Sequence, residues 1–311
     1  MILSKTDRRF KAVDVLLIIM MIVPILIGIT LKVLFTPASE GVSITGPLIY
    51  FTIPMPIQNL PITESQVNSV LVIMVIFFLC LYMTHGLKEK PELKRQHFAE
   101  MIVESAEKLV RGNMGEYYMG FAPFIAGIMA LSAFTSLMSL VGLYPATSDV
   151  NIVGGWAILV FGIITYYKLK CGPVNYLKGF TEPVALLAPI NFISEFATPV
   201  SMAFRHYGNV LSGIVVSALL GTALQGLSAK VFSWASNINW LSWLADAPLL
   251  QVGIPGVLSL YFDVFSGLLQ AFIFAILTML YVSGAFNMEL FKERQKSKEK
   301  KNAEKAQKNK N

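Results

Sequence analysis

One arginine, Arg205, stands in a long apolar run with no acidic residue within nine positions on either side. A guanidinium keeps its proton at any working pH, so in such a place it acts as a fixed positive charge and not as a proton carrier. Holding one near the centre of a bilayer costs from about 2.5–3.5 kcal/mol on insertion scales to about 10–17 kcal/mol in simulations, which makes it functional by default. Between Pro183 and Met288 the only other charged residues are Glu195, Lys230, Asp246 and Asp263. Lys230 and Asp246 read as ordinary charges of a connecting segment. Glu195 and Asp263 are of another kind, because a desolvated carboxyl can take and release a proton near neutral pH.

The spacing around these residues is helical. Ser201, Arg205, Asn209 and Ser212 follow one another as a polar stripe along one helix face, with Gly208 and Gly213 leaving room for another backbone. Asp263 and Gln270 form a second stripe, with Ser266 and Gly267 between them, and the two stripes can face each other across antiparallel helices. Bland readings stand beside this one: membrane Ser, Asn and Gln often serve as interhelical glue, and Arg205 with Asp263 and Glu195 could be a purely structural ion pair. His206 titrates too, but as the neighbour of Arg205 it points about 100° away around the helix. His85 and His97 read as boundary residues.

The elements that position these residues are membrane helices. The chain of 311 residues is 55% hydrophobic and only 14% charged, against about 25% charged for a soluble domain. Its apolar runs are continuous over about 18 residues or more, which excludes the alternating pattern of a membrane β-barrel. The fold class is therefore all-α, a polytopic membrane protein of about six spanning helices, and its one constant partner is the lipid bilayer. The net charge of +6 is concentrated late in the chain: Lys292 to Lys310 holds eight Lys and one Arg among three Glu. No stacking aromatics accompany these lysines, so nucleic acid is rejected and a solvated cytoplasmic tail is the reading. Cys80 and Cys171 form no spacing motif, and no His/Cys cluster suggests a metal or other cofactor.

Taken in order, the chain divides into an N-terminal segment (1–66), a membrane domain (67–286) and a Lys-rich tail (287–311). Lys5, Arg8, Arg9 and Lys11 precede the apolar run Val15 to Leu31. This could be a signal peptide, but an A-x-A type of cleavage site is missing around Thr36 to Ser39, which favours a retained helix. Residues 36–66 hold no Lys or Arg and are broken by prolines, so they are expected outside as a non-spanning segment. Val67 to Met83 crosses inward, and residues 91–112 have the spacing of an amphipathic helix lying on a membrane surface. Phe121 to Leu143 and Gly154 to Tyr167 make a hairpin, with Lys168, Lys170 and Lys178 marking its inner end. Pro189 to Gly221 and Pro255 to Phe286 exceed the roughly 20 residues an upright span needs and are expected to be strongly tilted. A Trp-rich connection (Trp234, Trp240, Trp243) suits an interface. With Lys230 the sole basic residue of the outside stretches, the positive-inside rule puts both termini in the cytoplasm if residues 15–31 are retained.

The stretch Phe204-Arg205-His206-Tyr207-Gly208-Asn209, preceded by Glu195-Phe196-Ala197 and Pro199-Val200-Ser201, resembles the arginine motif of subunit a of the F-type ATP synthase. Leu268-Leu269-Gln270-Ala271-Phe272-Ile273-Phe274, with Leu277-Thr278 and Tyr281, is similar to that family's last-helix signature. Phe121-Ala122-Pro123-Phe124-Ile125, Gly142-Leu143-Tyr144-Pro145 and Ser148-Asp149-Val150-Asn151 resemble the start and end of its hairpin.

The resemblance implies a stator in the cell membrane beside a ring of small rotor subunits (subunit c), each with an ion-binding carboxylate, and held by the peripheral-stalk subunit b. Two offset aqueous half-channels lead the ion to and from the ring, and the arginine attracts the empty rotor carboxylate and blocks leakage. It implies Arg205 as that arginine, Asn209 and Gln270 near the outer half-channel, Glu195 toward the inner one, and Asp149 and Asn151 near the outer mouth. Ser201, Ser212, His206 and Tyr281 are candidate channel-lining residues. The chain departs from the family where His206 replaces the usual leucine and Ile214 a frequent Glu. Asp263 is then expected to carry the outer channel's carboxyl from the partner helix. No phosphate-cradling loop is present, so ATP chemistry is not expected in this chain. Two other classes stand as runners-up: a secondary transporter, which would need inverted repeats that the two halves do not convincingly show, and a structural membrane scaffold, which would tolerate Arg205→Ala.

Overall fold

The computed structural model describes residues 5–36, 46–56, 58–87, 94–181, 184–231, 257 and 260–285. The Lys-rich tail, the Trp-rich connection and Asp246 lie outside the described residues.

Eight α-helices make up the described structure: α1 (Lys5–Phe35), α2 (Glu64–Thr84), α3 (Lys94–Met114), α4 (Ala122–Leu137), α5 (Val150–Cys171), α6 (Pro173–Thr181), α7 (Ala188–Val231) and α8 (Gly267–Ala285). Six stretches are long and apolar enough to cross a membrane, one each on α1, α2, α4, α5, α7 and α8. The chain is an all-α, multi-pass membrane protein. At 1.5 Å per residue the 44-residue α7 is about 66 Å long, and a hydrocarbon core of about 30 Å cannot hold it upright.

Local sequence explains the ends. Pro123 opens α4, where a missing N–H costs nothing. Gly142 turns the chain after it at φ +77°, a conformation that favours glycine. Asp149 then caps α5, its Oδ1 accepting the backbone N–H of Asn151 at 3.0 Å. The expected surface helix is α3: Val110 and Met114 are buried while Phe98, Met101 and Ile102 are exposed, the asymmetry of a helix wetted by lipid on one face. Within the proline-broken segment before α2, Ile49–Ile53 and Leu60–Thr63 pair as an antiparallel two-stranded ribbon.

The main core joins α3, α4, α5, α7 and α8 through Val110, Ile125, Val160, Met202, Phe274, Met279 and Val282. Close contact depends on missing side chains: a Cβ at Gly267 would lie 2.6 Å from the Ser136 Cβ on α4, and one at Gly213 would lie 3.2 Å from Phe262. Gly208, by contrast, faces open space.

Helix α1 packs on α2, with Gly28 against Leu71 and Leu143, and is tied at both ends. At one end Lys32 lies 3.3 Å from Glu64, which is only 2% exposed, and donates to the Gly142 carbonyl at 2.7 Å. Glu64 also accepts the Tyr144 N–H at 3.1 Å, and Asn68 donates to the Tyr144 carbonyl at 2.9 Å. At the other end Asp14 accepts from Arg95 at 2.7 Å and pairs with His85 at 2.9 Å. A buried carboxylate needs such a partner, so α1 supplies the cation that lets Glu64 hold the hairpin turn.

Candidate functional site

Arg205 lies on the exposed face of α7, with Ser201, Phe204, Gly208 and Ser212 exposed beside it. Among the described residues it makes no hydrogen bond and no ion pair. The purely structural ion pair with Glu195 or Asp263 is therefore not formed. The opposite face of α7 (Met202, Ala203, His206) is buried against the other helices.

His206 sits in the core and not along a cavity. Its Nε2 is 3.2 Å from the Ser132 Oγ, and its ring meets those of Trp156 and Phe274 edge-on, with centroids 5.9 and 5.6 Å apart. The angular offset from Arg205 read in the sequence carries it into the packed side of the helix.

Toward the Asp149 end, Asn209 Nδ2 donates to Gln270 Oε1 at 3.3 Å, and Gln270 is 2% exposed. One turn on, Asn209, Gly213, Asp263 and Ser266 line a cavity of about 10 Å³ with Ser136 of α4 and Ser139 of the turn that follows it, room for about one water molecule. The two polar stripes touch through Asn209 and Gln270, while Ser201, Arg205 and Ser212 stay on the exposed face of α7. Asp263 lies in a π-helical segment, Leu260–Ser266, that runs into α8, and such wide turns are common where function needs a displaced side chain. The third wall, Ser136 and Ser139, was not singled out in the sequence, although serines three apart in an apolar run share a helix face. Ser212 donates to the Asn209 carbonyl at 3.0 Å.

Toward the other end two larger, open-sided cavities lie between the helices. One of about 410 Å³ is lined by Lys168, Cys171, Tyr176, Asn191, Ser194 and Glu195 among others. The second, about 200 Å³, is lined by Phe161, Ile164, Pro199, Leu280 and Tyr281 together with Lys168 and Glu195. Lys168 Nζ donates to both carboxylate oxygens of Glu195, at 2.7 and 2.6 Å. Tyr176 lies beneath the ammonium, 5.8 Å from ring centroid to Nζ. Burial, and then the Glu195 carboxylate to which it is hydrogen-bonded, push the Tyr176 phenol up, which keeps it a protonated donor. Lys168 read in the sequence only as a marker of the hairpin's inner end, because its partner lies 27 residues away on another helix.

A multi-pass helical membrane protein carrying an unpaired arginine between two polar cavity systems is the class that fold and site define. The chain belongs to the ATP synthase A chain family, whose profile matches residues 67–283, so it takes the role of the a subunit in the membrane sector of an F-type ATP synthase complex. It is 26% identical over 274 residues to "ATP synthase subunit a, sodium ion specific" of Propionigenium modestum, covering 78% of this chain and 86% of that one. It is 29% identical over 232 residues to ATP synthase subunit a of Bacillus pumilus, covering 70% and 90%. The same subunit of Nitratidesulfovibrio vulgaris is 31% identical over 218 residues, covering 68% and 81%.

Proposed function

We propose that this chain is the proton-channel stator subunit of its rotary ATP synthase, with Arg205 separating two aqueous half-channels and meeting the carboxylates of a ring of small rotor subunits. The observation that carries this reading is the bare face of α7: Arg205 has no counter-charge among the described residues. A guanidinium held at membrane depth requires one, and a passing carboxylate on another chain supplies it.

Arg205 also has the right place along the helix. Glu195 and Pro199 line the cavities on one side of it and Asn209 and Gly213 the cavity on the other. The offset is about 15 Å one way and about 12 Å the other. Ion entering through the Asp263–Asn209–Gln270 side loads a rotor carboxylate, and ion leaving passes Glu195. Asp149 and Asn151 stand at the outer mouth, Tyr281 on the inner path, and Ser201 and Ser212 on the rotor face. The chain catalyses no bond cleavage itself; it couples ion flow to rotation, while the peripheral-stalk subunit b keeps it from turning. In this reading it resides in the cell membrane with both termini cytoplasmic, residues 67–286 forming the conducting domain and 287–311 a solvated tail.

ATP-driven proton pumping in membranes carrying Arg205→Ala, beside Arg205→Lys, tests the reading. Coupled pumping is expected to vanish in the alanine variant, and its retention there overturns the proposal. Cross-links from the α7 face to a two-helix rotor subunit are the expected physical counterpart.

A further inference from the structure

The two larger cavities share a wall, and the Lys168–Glu195 pair is part of it. Lys168, Glu195, Thr198 and Ala285 line both, so the bidentate bond at 2.7 and 2.6 Å closes the span between α5 and α7 where the cavities adjoin. The pair is not an exposed surface contact: Glu195 is 13% and Lys168 29% exposed. Tyr176 braces it from below, and Cys171 lines the larger cavity beside it.

We propose that Lys168 is a gating and positioning residue of the inner ion path, acting through Glu195: the ion pair partitions that path into a vestibule beside Tyr176 and Cys171 and a second chamber next to Tyr281. This inference rests on the half-channel reading above. An ammonium in the wall repels any cation approaching the chamber, and its two hydrogen bonds take one lone-pair site on each carboxylate oxygen of Glu195, so a passing ion competes with Lys168 for that carboxylate. The pair must open, with water taking the place of each partner, every time an ion passes. Partial exposure makes that opening affordable, since partly solvated ion pairs hold little net energy.

The experiment is passive ion flow through the membrane sector in vesicles stripped of the catalytic head, read with a pH-sensitive dye and with radiolabelled sodium, and normalised to assembled subunit. Lys168→Gln is expected to raise the flow by up to about fivefold, the ratio a partly exposed pair can hold back. Glu195→Gln, which leaves the ammonium unneutralised, is expected to lower it, and Lys168→Arg, which keeps the pair, to leave it near wild type. A residue serving packing alone would shift both glutamine variants the same way. Lys168→Met carries the same prediction as Lys168→Gln should the latter fail to assemble. Unchanged or reduced flow in assembled Lys168→Gln or Lys168→Met overturns the gate. If Arg205→Ala meanwhile abolishes coupled pumping, the half-channel reading stands and only the gate is lost; if that variant still pumps, the half-channel reading falls with it.

Discussion

Asn209 of α7 donates its side-chain amide to Gln270 of α8 at 3.3 Å, one turn beyond Arg205 and directly beside the small cavity that contains Asp263. The bond joins α7 directly to α8, whose Gly267 packs instead on Ser136 of α4. Interhelical hydrogen bonds in membranes are worth about 0.6 kcal/mol on average, so Asn209→Ala and Gln270→Ala should each lower thermal stability slightly, and the double variant by less than the sum. A double-mutant cycle on the purified subunit measures this. Pumping should fall much further than stability does if the proposed outer half-channel runs past this pair.

Asp263→Asn should abolish or strongly slow pumping while the complex assembles normally, and Asp263→Glu should retain it. Pumping that is unchanged across the neutral pH range in the asparagine variant would remove Asp263 from the path.

Gly267 and Gly208 predict opposite outcomes for the same substitution. Gly267→Ala places a methyl 2.6 Å from the Ser136 Cβ, an overpacking that should cost about 1–3 kcal/mol in thermal stability and be partly relieved by Ser136→Gly. Gly208→Ala meets nothing within 4 Å in this chain. It should leave the subunit's stability unchanged and impair pumping only if a rotor helix runs against that face.

Lys32→Met withdraws the cation from a glutamate that is 2% exposed. Because Lys32 is itself a third exposed, the loss should be about 1–3 kcal/mol, below the range for a fully buried pair. Adding Glu64→Gln should recover part of it, since glutamine still accepts the Tyr144 N–H. Melting temperatures in detergent would show both effects.

His206→Leu should pump normally. Its ring is surrounded by Trp156, Phe274 and Ser132, and its Nδ1 is buried without a partner. An apolar residue of similar volume removes that cost. His206→Ala should instead destabilise through the cavity it leaves, by about 2–4 kcal/mol. Lost pumping in a stable leucine variant would put His206 on the path after all.

Much of this architecture could be read from apolar run lengths and charge. The spans at 67–83 and 189–221 fall within α2 and α7, whereas Arg205 lands on an exposed face and not, as its polar stripe suggested, against the stripe of Asp263 and Gln270. What escaped had physical reasons. The ribbon at Ile49–Ile53 and Leu60–Thr63 was hidden by prolines at 54, 56 and 61, which signal interruption more strongly than pairing. Helix α6 begins at Pro173 after Gly172, a pair that reads as a turn, and its Lys178 read only as a mark of the hairpin's inner end. The π-helical turn at Asp263 has no periodicity of its own to detect. The pairs Lys168–Glu195 and Lys32–Glu64 join residues of different helices, and single-sequence spacing cannot say which helices touch.

The face of α7 around Arg205 has a mechanical meaning as well as an electrical one. Static helices lock by pressing ridges into grooves, and a partner locked in that way cannot turn. Gly208, Ser201 and Ser212 give the arginine a shallow, nearly toothless surround, with Phe204 as the one large projection. A surface of that relief offers a sliding helix only small corrugations to climb. If a rotor helix runs against this face as proposed, the missing side chain at position 208 acts as a bearing clearance beside the charge of Arg205.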